Sequence, residues 1–350
     1  MTLEDIRRID RHHMYDCVLD FPNQVERAVG IGKAADIPIR PGKVTSIVIT
    51  GLGGSAIGGD LLRAYLADEL DVPISVNRHY MLPEFVGRTT LVIVSSYSGN
   101  TEETISAQRE ATKRKARVWC ISTGGRVSDF ARKHKQFCLK IPGGLQPRAA
   151  LGYSFFPLLV ALATSGFVRS KDREINETLK LLRTKAQEYA NPDPTANPAL
   201  ELAGRLKGKL PILYSSSRHL DAVNLRWRGQ IEENAKQLAY GNLLPEMNHN
   251  ELVGWNMLKD LLRQTYVVFL RDKQEHPRVS LREKITREIV SQYSSGSSEV
   301  WSQGTSLLAR MFSLIQYGDW VSFYLAILNN QDPTPVEAID HLKSELASVK

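Results

Sequence analysis

Residues 91–104 read LVIVSSYSGNTEET, an apolar, β-branched run that continues into the hydroxyl side chains Ser96, Ser98 and Thr101. The apolar run predicts a buried strand, and the residues after it predict the start of a helix. The junction of a strand with a helix N-terminus presents backbone N–H groups and the positive end of the helix dipole, which attract phosphate or carboxylate. No lysine or arginine occurs from residue 95 to 104, so hydroxyl and amide groups would hold the anion. This composition suits a small sugar phosphate better than a nucleoside triphosphate.

Short β-rich runs alternate with helical patterns along most of the chain. The β-rich runs are 46–50, 74–76, 91–94, 118–121, 210–214 and 265–270. The helical patterns cover about 60–67, 101–116, 149–164, 171–189, 222–238 and 336–350. Asn100 and Glu103 have the spacing of a capping box, which predicts a helix start there. Strands that alternate with helices form a parallel, doubly wound sheet, so we predict the α/β class.

The α/β pattern restarts after a proline-rich stretch, which predicts two tandem domains, each a mainly parallel sheet flanked by helices. Three prolines occur from Pro192 to Pro198, after a charged helical segment. Such clusters mark linkers or helix starts. The expected units are an N-terminal helical arm at 1–40, a first domain at 41–170, a connecting helix and linker at 171–198, a second domain at 199–331 and a C-terminal helix at 332–350.

Composition narrows the class of protein. The 350 residues are 42% hydrophobic and 24% charged, with a formal net charge of +7 and three cysteines. No apolar run reaches 18 residues and the N-terminus is charged, so we expect a cytoplasmic protein without a membrane span or signal peptide. The basic residues form short, scattered clusters, which favours solvated helix faces over a nucleic-acid interface. A mild positive field attracts anionic metabolites.

A glycine-rich turn follows the first strand. Residues 51–56 (GLGGSA) satisfy the G-x-G-x-x-G/A fingerprint of dinucleotide-binding folds. That fold also needs an acidic residue about 20 positions later, where residues 76–79 read VNRH, so nicotinamide binding is disfavoured. Alternatively, Gly53 and Gly54 let the backbone approach a sugar while Ser55 donates a hydrogen bond to it. A tight turn without any ligand would need the same glycines.

Arg148 and two polar segments of the second half are candidates for chemistry. Arg148 lies between a Gly/Pro loop and an apolar helix, where a cation opposes the helix dipole. It is either a fixed cation for a developing negative charge or a surface arginine. Glu232 and Glu233 point about 100° apart on a helix, so at most one of them faces a given cleft. His249 lies in the polar sequence NHNE, and a glutamate with a histidine can move the protons of a carbonyl isomerisation.

The histidines show no zinc-type spacing with other ligands, so we expect no metal and no organic cofactor.

Five segments carry a family resemblance: 49–60, 95–104, 147–152, 232–236 and 248–251. Together they resemble the sugar isomerase (SIS) domains, and the last two resemble the bifunctional phosphoglucose/phosphomannose isomerases in particular. The resemblance covers the chain from about residue 45 to its end.

The resemblance implies two SIS domains, a homodimer with a shared active site, and sugar phosphates as substrates. The expected reaction is a metal-free interconversion of glucose 6-phosphate and mannose 6-phosphate with fructose 6-phosphate. It also implies two groups of binding residues. The phosphate would be held by Ser96, Ser98 and Thr101, and the sugar would be lined by Gly53, Gly54 and Ser55.

The resemblance assigns the catalytic roles as well. Glu233 would be the base, and His249, contributed by the partner subunit, would open the sugar ring. Arg148 would face the enediolate. Lys343, on the C-terminal helix, would assist ring opening or bind substrate. Thr334 is the candidate for the threonine with which the family favours the mannose epimer.

Two other classes of protein remain as alternatives. SIS domains also serve as sugar-phosphate sensors, usually with an added DNA-binding helix-turn-helix, for which the first 40 residues are too short. A glucosamine-6-phosphate synthase would carry an N-terminal glutaminase with a cysteine nucleophile, and Cys17 lacks that sequence context.

Overall fold

The computed structural model describes residues 2–38 and 41–348, where strands and helices alternate as predicted. The strands are β1 (Ser46–Thr50), β2 (Ile74–Asn77), β3 (Thr90–Ser95), β4 (Arg117–Ser122), β5 (Phe137–Lys140), β6 (Leu210–Ser216), β7 (Tyr240–Leu244), β8 (Thr265–Arg271) and β9 (Ser297–Trp301). The helices of the first half are α1 (Leu3–Ile9), α2 (Met14–Leu19), α3 (Phe21–Ala34), α4 (Gly54–Leu66), α5 (Glu102–Lys113), α6 (Gly125–Lys133) and α7 (Leu151–Thr164). Those of the second half are α8 (Asp172–Tyr189), α9 (Pro198–Leu206), α10 (Asp221–Ala235), α11 (Glu251–Gly254), α12 (Lys259–Leu262), α13 (Pro277–Val290), α14 (Leu307–Leu328) and α15 (Glu337–Ser348).

The first sheet has the strand order β2-β1-β3-β4-β5, and all its strand pairs are parallel. Every residue of β3 is buried, as expected of a central strand with helices on both faces. The chain runs from β1 to β2 on one side and then crosses to β3 on the other. Open α/β sheets bind ligands at such a switch point, beyond the carboxyl ends of the strands. The loops 51–53 and 96–101 lie there.

The second sheet repeats this order without the fifth strand. Its strands run β7-β6-β8-β9, again parallel throughout. Two parallel sheets flanked by helices confirm the predicted α/β class. Each sheet falls inside one of the predicted domains, 41–170 and 199–331, although the domain boundaries themselves stay a prediction. Residues 1, 39 and 40 of the predicted arm and 349–350 of the terminal helix lie outside the described residues.

The long buried helix α14 packs against α8, α9 and α10, and the sequence pattern did not predict it. Its residues are apolar on almost every side, so no 3.6-residue period distinguishes it from other buried segments. Gly318 lies against the ring of Trp227, where a β-carbon would collide. The indole Nε1 of Trp227 donates to the carbonyl of Leu314 at 2.9 Å. This contact fixes α10, which carries part of the site, against α14.

Two helix starts differ from the sequence prediction. The helix after β1 begins at Gly54 instead of near residue 60, because its glycines serve close packing inside the helix. A β-carbon on Gly58 would come within 2.8 Å of Ser154. The helix after the hydroxyl loop begins at Glu102, so the capping box at Asn100 was wrong. Asn100 Oδ1 instead accepts the N–H of Arg126 at 3.2 Å.

The strands β5, β7 and β9 were also missed. They are short and lie at sheet edges, where a continuous apolar run is not required. Within the described residues, no helix is both long and apolar enough to cross a membrane.

Candidate active site

The hydroxyl loop after β3 is curled by hydrogen bonds between its own groups. Ser96 is buried, donates to Thr101 Oγ1 at 3.1 Å and accepts the N–H of Gly99 at 3.1 Å. Gly99 has φ +72°, and a β-carbon there would collide with the carbonyl of Gly124, so glycine is required. Ser98 is exposed. Thr101 is the N-cap of α5, but its side chain caps none of the helix N–H groups. The first turn of α5 is therefore open to an anion.

The glycine-rich turn after β1 packs against two neighbouring loops. Gly53 has φ +51°, and a β-carbon on Gly54 would come within 2.6 Å of the Pro147 carbonyl group. Ser55 Oγ accepts the N–H of Tyr97 at 2.9 Å, which ties this turn to the hydroxyl loop. The Ser55 hydroxyl keeps its own proton for another acceptor.

Arg148 is 3% exposed, so it is not the surface arginine that the sequence left open. Its Nε donates to Asn234 Oδ1 at 2.7 Å, and its Nη1 donates to Glu233 Oε2 at 3.3 Å. Its Nη2 donates to the carbonyls of Pro333 at 2.7 Å and Thr334 at 2.8 Å. Burial lowers the pKa of the Arg148 guanidinium, and the neighbouring Glu233 opposes this shift. One arginine thus joins the first domain, α10 and the C-terminal segment.

The structure separates the two adjacent glutamates. Glu233 faces Arg148 and lines the cleft, whereas Glu232 is exposed. Lys236, at the end of α10, donates to the carbonyls of Glu233 at 2.5 Å and Pro333 at 3.0 Å. Burial and the nearby Arg148 lower the pKa of Lys236 to about 8.

A buried polar network behind the cleft was missed by the sequence analysis. Arg226 donates to Asp319 at 2.7 Å and to the carbonyl of Arg148 at 3.1 Å. Gln230 donates to the same Asp319 carboxylate at 3.0 Å. Burial raises the pKa of Asp319, and Arg226 opposes this shift. A single acid inside the apolar α14 was the signal available in the sequence, because buried charges require partners.

A cleft of about 160 Å³ lies between the two sheets at the switch point. Its lining includes Gly53, Gly54, Arg148 and Glu233. Arg78, which directly follows β2, also lines the cleft and was not singled out from the sequence. Residues that are far apart in the chain therefore meet at one opening.

Of three further predicted site residues, His249 and Lys343 lie on the surface and Thr334 lies beside Arg148. The His249 ring is exposed and, within residues 2–38 and 41–348, forms no hydrogen bond or ion pair. Lys343 is also exposed, 4.0 Å from Asp340 on its own helix. Thr334 lies beside Arg148, but its buried hydroxyl has no hydrogen-bond partner in the described part of the chain. A single chain therefore brings Thr334 to Arg148, and leaves His249 and Lys343 on the surface.

No cluster of three or more His, Cys, Asp or Glu side chains suited to a metal ion occurs among the residues described.

Comparisons with known proteins place the chain in a family. Residues 195–346 match the family described as "Bacterial phospho-glucose isomerase C-terminal SIS domain". The chain is 46% identical to a bifunctional phosphoglucose/phosphomannose isomerase of Caldicellulosiruptor bescii, over 96% of this chain and 100% of that protein. It is 37% identical to one of Thermoplasma acidophilum, over 89% and 93% of the two chains. A glucose-6-phosphate isomerase like protein of Thermus thermophilus has the same fold, with a TM-score of 0.65, 18% identity and coverage of 96% and 98%. From the extent of these sequence matches, the chain belongs to the family of bifunctional phosphoglucose/phosphomannose isomerases.

Proposed function

We propose that this protein interconverts glucose 6-phosphate and mannose 6-phosphate with fructose 6-phosphate through a cis-enediolate. The observation that carries the proposal is the pairing of Glu233 with the buried Arg148 in the cleft that Gly53 and Gly54 also line. An acid that accepts a hydrogen bond from a fixed cation, next to an anion-binding loop, suits proton transfer beside a carbonyl group.

The phosphate binds at the N-terminus of α5. Ser96, Ser98 and Thr101 supply hydroxyl groups, and the uncapped first turn supplies backbone N–H groups. The sugar then lies over Gly53 and Gly54, where the absence of side chains lets it approach the backbone. Ser55 uses its free hydroxyl proton to bind the sugar.

Glu233 acts as the general base. It removes the proton from C2 of the open-chain aldose; the electron pair of that C–H bond forms the C1–C2 double bond, and the π pair of the C1 carbonyl moves onto O1 to give the enediolate. Arg148 and nearby amides stabilise the negative charge. The proton of the C2 hydroxyl then passes to O1, and Glu233 returns its proton to C1 as the C2 carbonyl of the ketose forms. The planar C2 has lost its configuration, so both epimers are reached if the C2–C3 bond rotates. Neither step requires a redox cofactor or a metal.

The active site is completed by a second copy of the chain. His249 of the partner subunit opens the sugar ring, and Lys343 assists ring opening or binds substrate. Exposed apolar side chains in the segment after His249 support such an interface: Val253 is 80% exposed, Met257 70% and Leu258 72%. Exposed apolar groups of this extent are typical of surfaces that another chain covers.

Thr334 is the proposed epimer-selecting residue. Its carbonyl group binds Arg148, and its buried hydroxyl lacks a partner among the residues described. An unpaired buried hydroxyl is costly, and a substrate hydroxyl group would satisfy it.

The first experiment is a pair of coupled isomerase assays on glucose 6-phosphate and mannose 6-phosphate, both with EDTA present. We expect turnover of both sugars. Turnover of glucose 6-phosphate alone would remove the mannose activity and the role of Thr334. If fructose 6-phosphate binds without any turnover, the protein is a sensor.

Glu233→Gln tests the base, with Glu232→Gln on the same helix turn as the matched control. Loss of a general base should lower kcat at least about 100-fold, whereas the exposed neighbour should leave kcat unchanged. Equal activity of both variants would show that Glu233 is not the base.

Mixing Glu233→Gln chains with His249→Ala chains tests the shared site. In a mixed dimer one of the two sites receives both intact residues, so random exchange should restore about a quarter of the wild-type activity. If mixing restores nothing while dimers exchange freely, each site is built from one chain.

A further inference from the structure

Arg148 has few hydrogen-bond donors left for a substrate. An arginine side chain carries five N–H groups. Four of those of Arg148 bind Asn234, Glu233, Pro333 and Thr334. Arg148 therefore mainly holds the cleft together, and substrate oxygens at the reacting end need additional donors.

Arg78 has such donors. Its Nη2 is paired with the carboxylate of Asp60, and its Nε and Nη1 have no partner in the described parts of the chain. The Arg78 side chain is 40% exposed, and it lines the cleft together with Glu233. Asp60 is only 9% exposed and belongs to α4, so it anchors the guanidinium from behind. The free edge of Arg78 remains accessible from the cleft.

The strand order places Arg78 at the end of the cleft away from the phosphate. The hydroxyl loop follows β3, the glycine turn follows β1, and Arg78 follows β2, in the spatial order β3-β1-β2. Two strand spacings separate the first from the last, which amounts to about 10 Å. In an open-chain hexose 6-phosphate, the phosphate and the C1–C2 end lie at opposite ends of the carbon chain. With the phosphate at β3 and the sugar over β1, the C1–C2 end points to β2.

We propose that Arg78 is a substrate-binding residue that donates through Nε and Nη1 to the oxygens on C1 and C2. This inference rests on the proposed function and extends it. Asp60 is the positioning residue that holds Arg78 in place. Because the enediolate carries more negative charge on these oxygens than the sugar does, Arg78 binds it more tightly than the substrate.

The variants must separate substrate binding from folding, because Arg78→Gln leaves Asp60 buried without its partner. The double variant Asp60→Asn/Arg78→Gln removes both charges, keeps the size of the Asp60 side chain and leaves a shorter polar side chain in place of Arg78. Arg114→Gln is the matched control, since Arg114 is paired with Glu110 on α5, outside the cleft lining. Circular dichroism and thermal unfolding verify that each variant is folded.

Two inhibitors distinguish the two ends of the cleft. Inorganic phosphate probes the hydroxyl loop, and arabinonate 5-phosphate carries a carboxylate where the enediolate forms. In the folded double variant, the Ki of arabinonate 5-phosphate should rise about 10-fold or more. The Ki of inorganic phosphate, measured in about 0.15 M salt, should change by less than about 2-fold, because the roughly 10 Å between Arg78 and the hydroxyl loop exceeds the Debye length of about 8 Å. Arg114→Gln should leave both constants unchanged.

Four outcomes are distinguished. A selective loss of arabinonate 5-phosphate binding, with kcat/KM falling in parallel, supports it. Unchanged Ki for arabinonate 5-phosphate overturns it, as does an equal loss for both inhibitors. If the wild-type protein binds both inhibitors but turns over neither sugar, the proposed function fails, and the role of Arg78 is then decided by the same comparison of dissociation constants from calorimetry.

Discussion

Replacement of Arg148 by alanine should disconnect three parts of the molecule at once. The side chain is almost fully buried and joins Asn234 on α10 to the carbonyls of Pro333 and Thr334. No other side chain in the described ranges makes these three bonds together. Arg148→Ala leaves Asn234 Oδ1 and the Thr334 carbonyl without this donor, leaves the Pro333 carbonyl with Lys236 alone, and removes the cation beside Glu233.

The magnitude follows from those bonds. Hydrogen bonds from a charged donor contribute about 1.5–3 kcal/mol each, so the three bonds of 2.7–2.8 Å set an upper limit of about 9 kcal/mol. Two terms reduce it. Water can reach the half-buried segment around Thr334, and the variant no longer buries a desolvated cation. We expect a loss of about 3 kcal/mol in the free energy of unfolding, as for the removal of one partner from a buried pair.

Urea unfolding measures this loss, and amide hydrogen exchange locates it. Exchange should accelerate at the amide of Thr334, which donates to Asp332 Oδ1 at 3.0 Å, before the rest of the second domain is affected. Arg205→Ala is the control, because Arg205 is half exposed and paired with Glu201 on the surface, and should cost less than about 1 kcal/mol. A loss below about 1 kcal/mol for Arg148→Ala, with the Thr334 amide still protected, would refute this account of the side chain.

Two further predictions concern close packing and pH. Gly54→Ala should reduce isomerase activity strongly while the protein stays folded, since the new methyl group must displace the Pro147 carbonyl. Gly30 in α3 has open space around it, so Gly30→Ala should raise the free energy of unfolding by about 0.5–1 kcal/mol. If Gly54→Ala is as active as the wild type, the approach of these two loops does not matter. Burial raises the pKa of Glu283 from 4.5 to about 7, with the nearby Arg271 opposing the shift. The folded state therefore holds a proton that the unfolded state has released, so stability should fall as the pH rises from about 4.5 to 7, and Glu283→Gln should flatten that part of the urea-measured profile. An unchanged slope in the variant would assign the pH dependence to other groups.

Several parts of the site depend on local sequence, and these were predictable. The strand-to-helix junctions at 46–60 and 91–104 show their apolar runs, glycines and hydroxyls within about fifteen residues. Their positions along the chain therefore indicated both the parallel sheet and an anion-binding loop. Parts without a local period were missed. The edge strands β5, β7 and β9 are short, and α14 is apolar all round, so neither shows a repeating pattern.

The amino-acid sequence by itself determined the α/β class, the hydroxyl loop and the glycine turn, because strand and helix periodicities and turn residues act over neighbouring positions. Only the tertiary structure decided which charged groups meet. Arg148 and Glu233 are 85 residues apart in the chain, and Arg78 reaches the same cleft from the end of another strand. Which of Glu232 and Glu233 lines the cleft also depends on how α10 packs against α14. Such pairings depend on the free energy of burying charge with a partner, and that quantity exists only once distant segments have packed together.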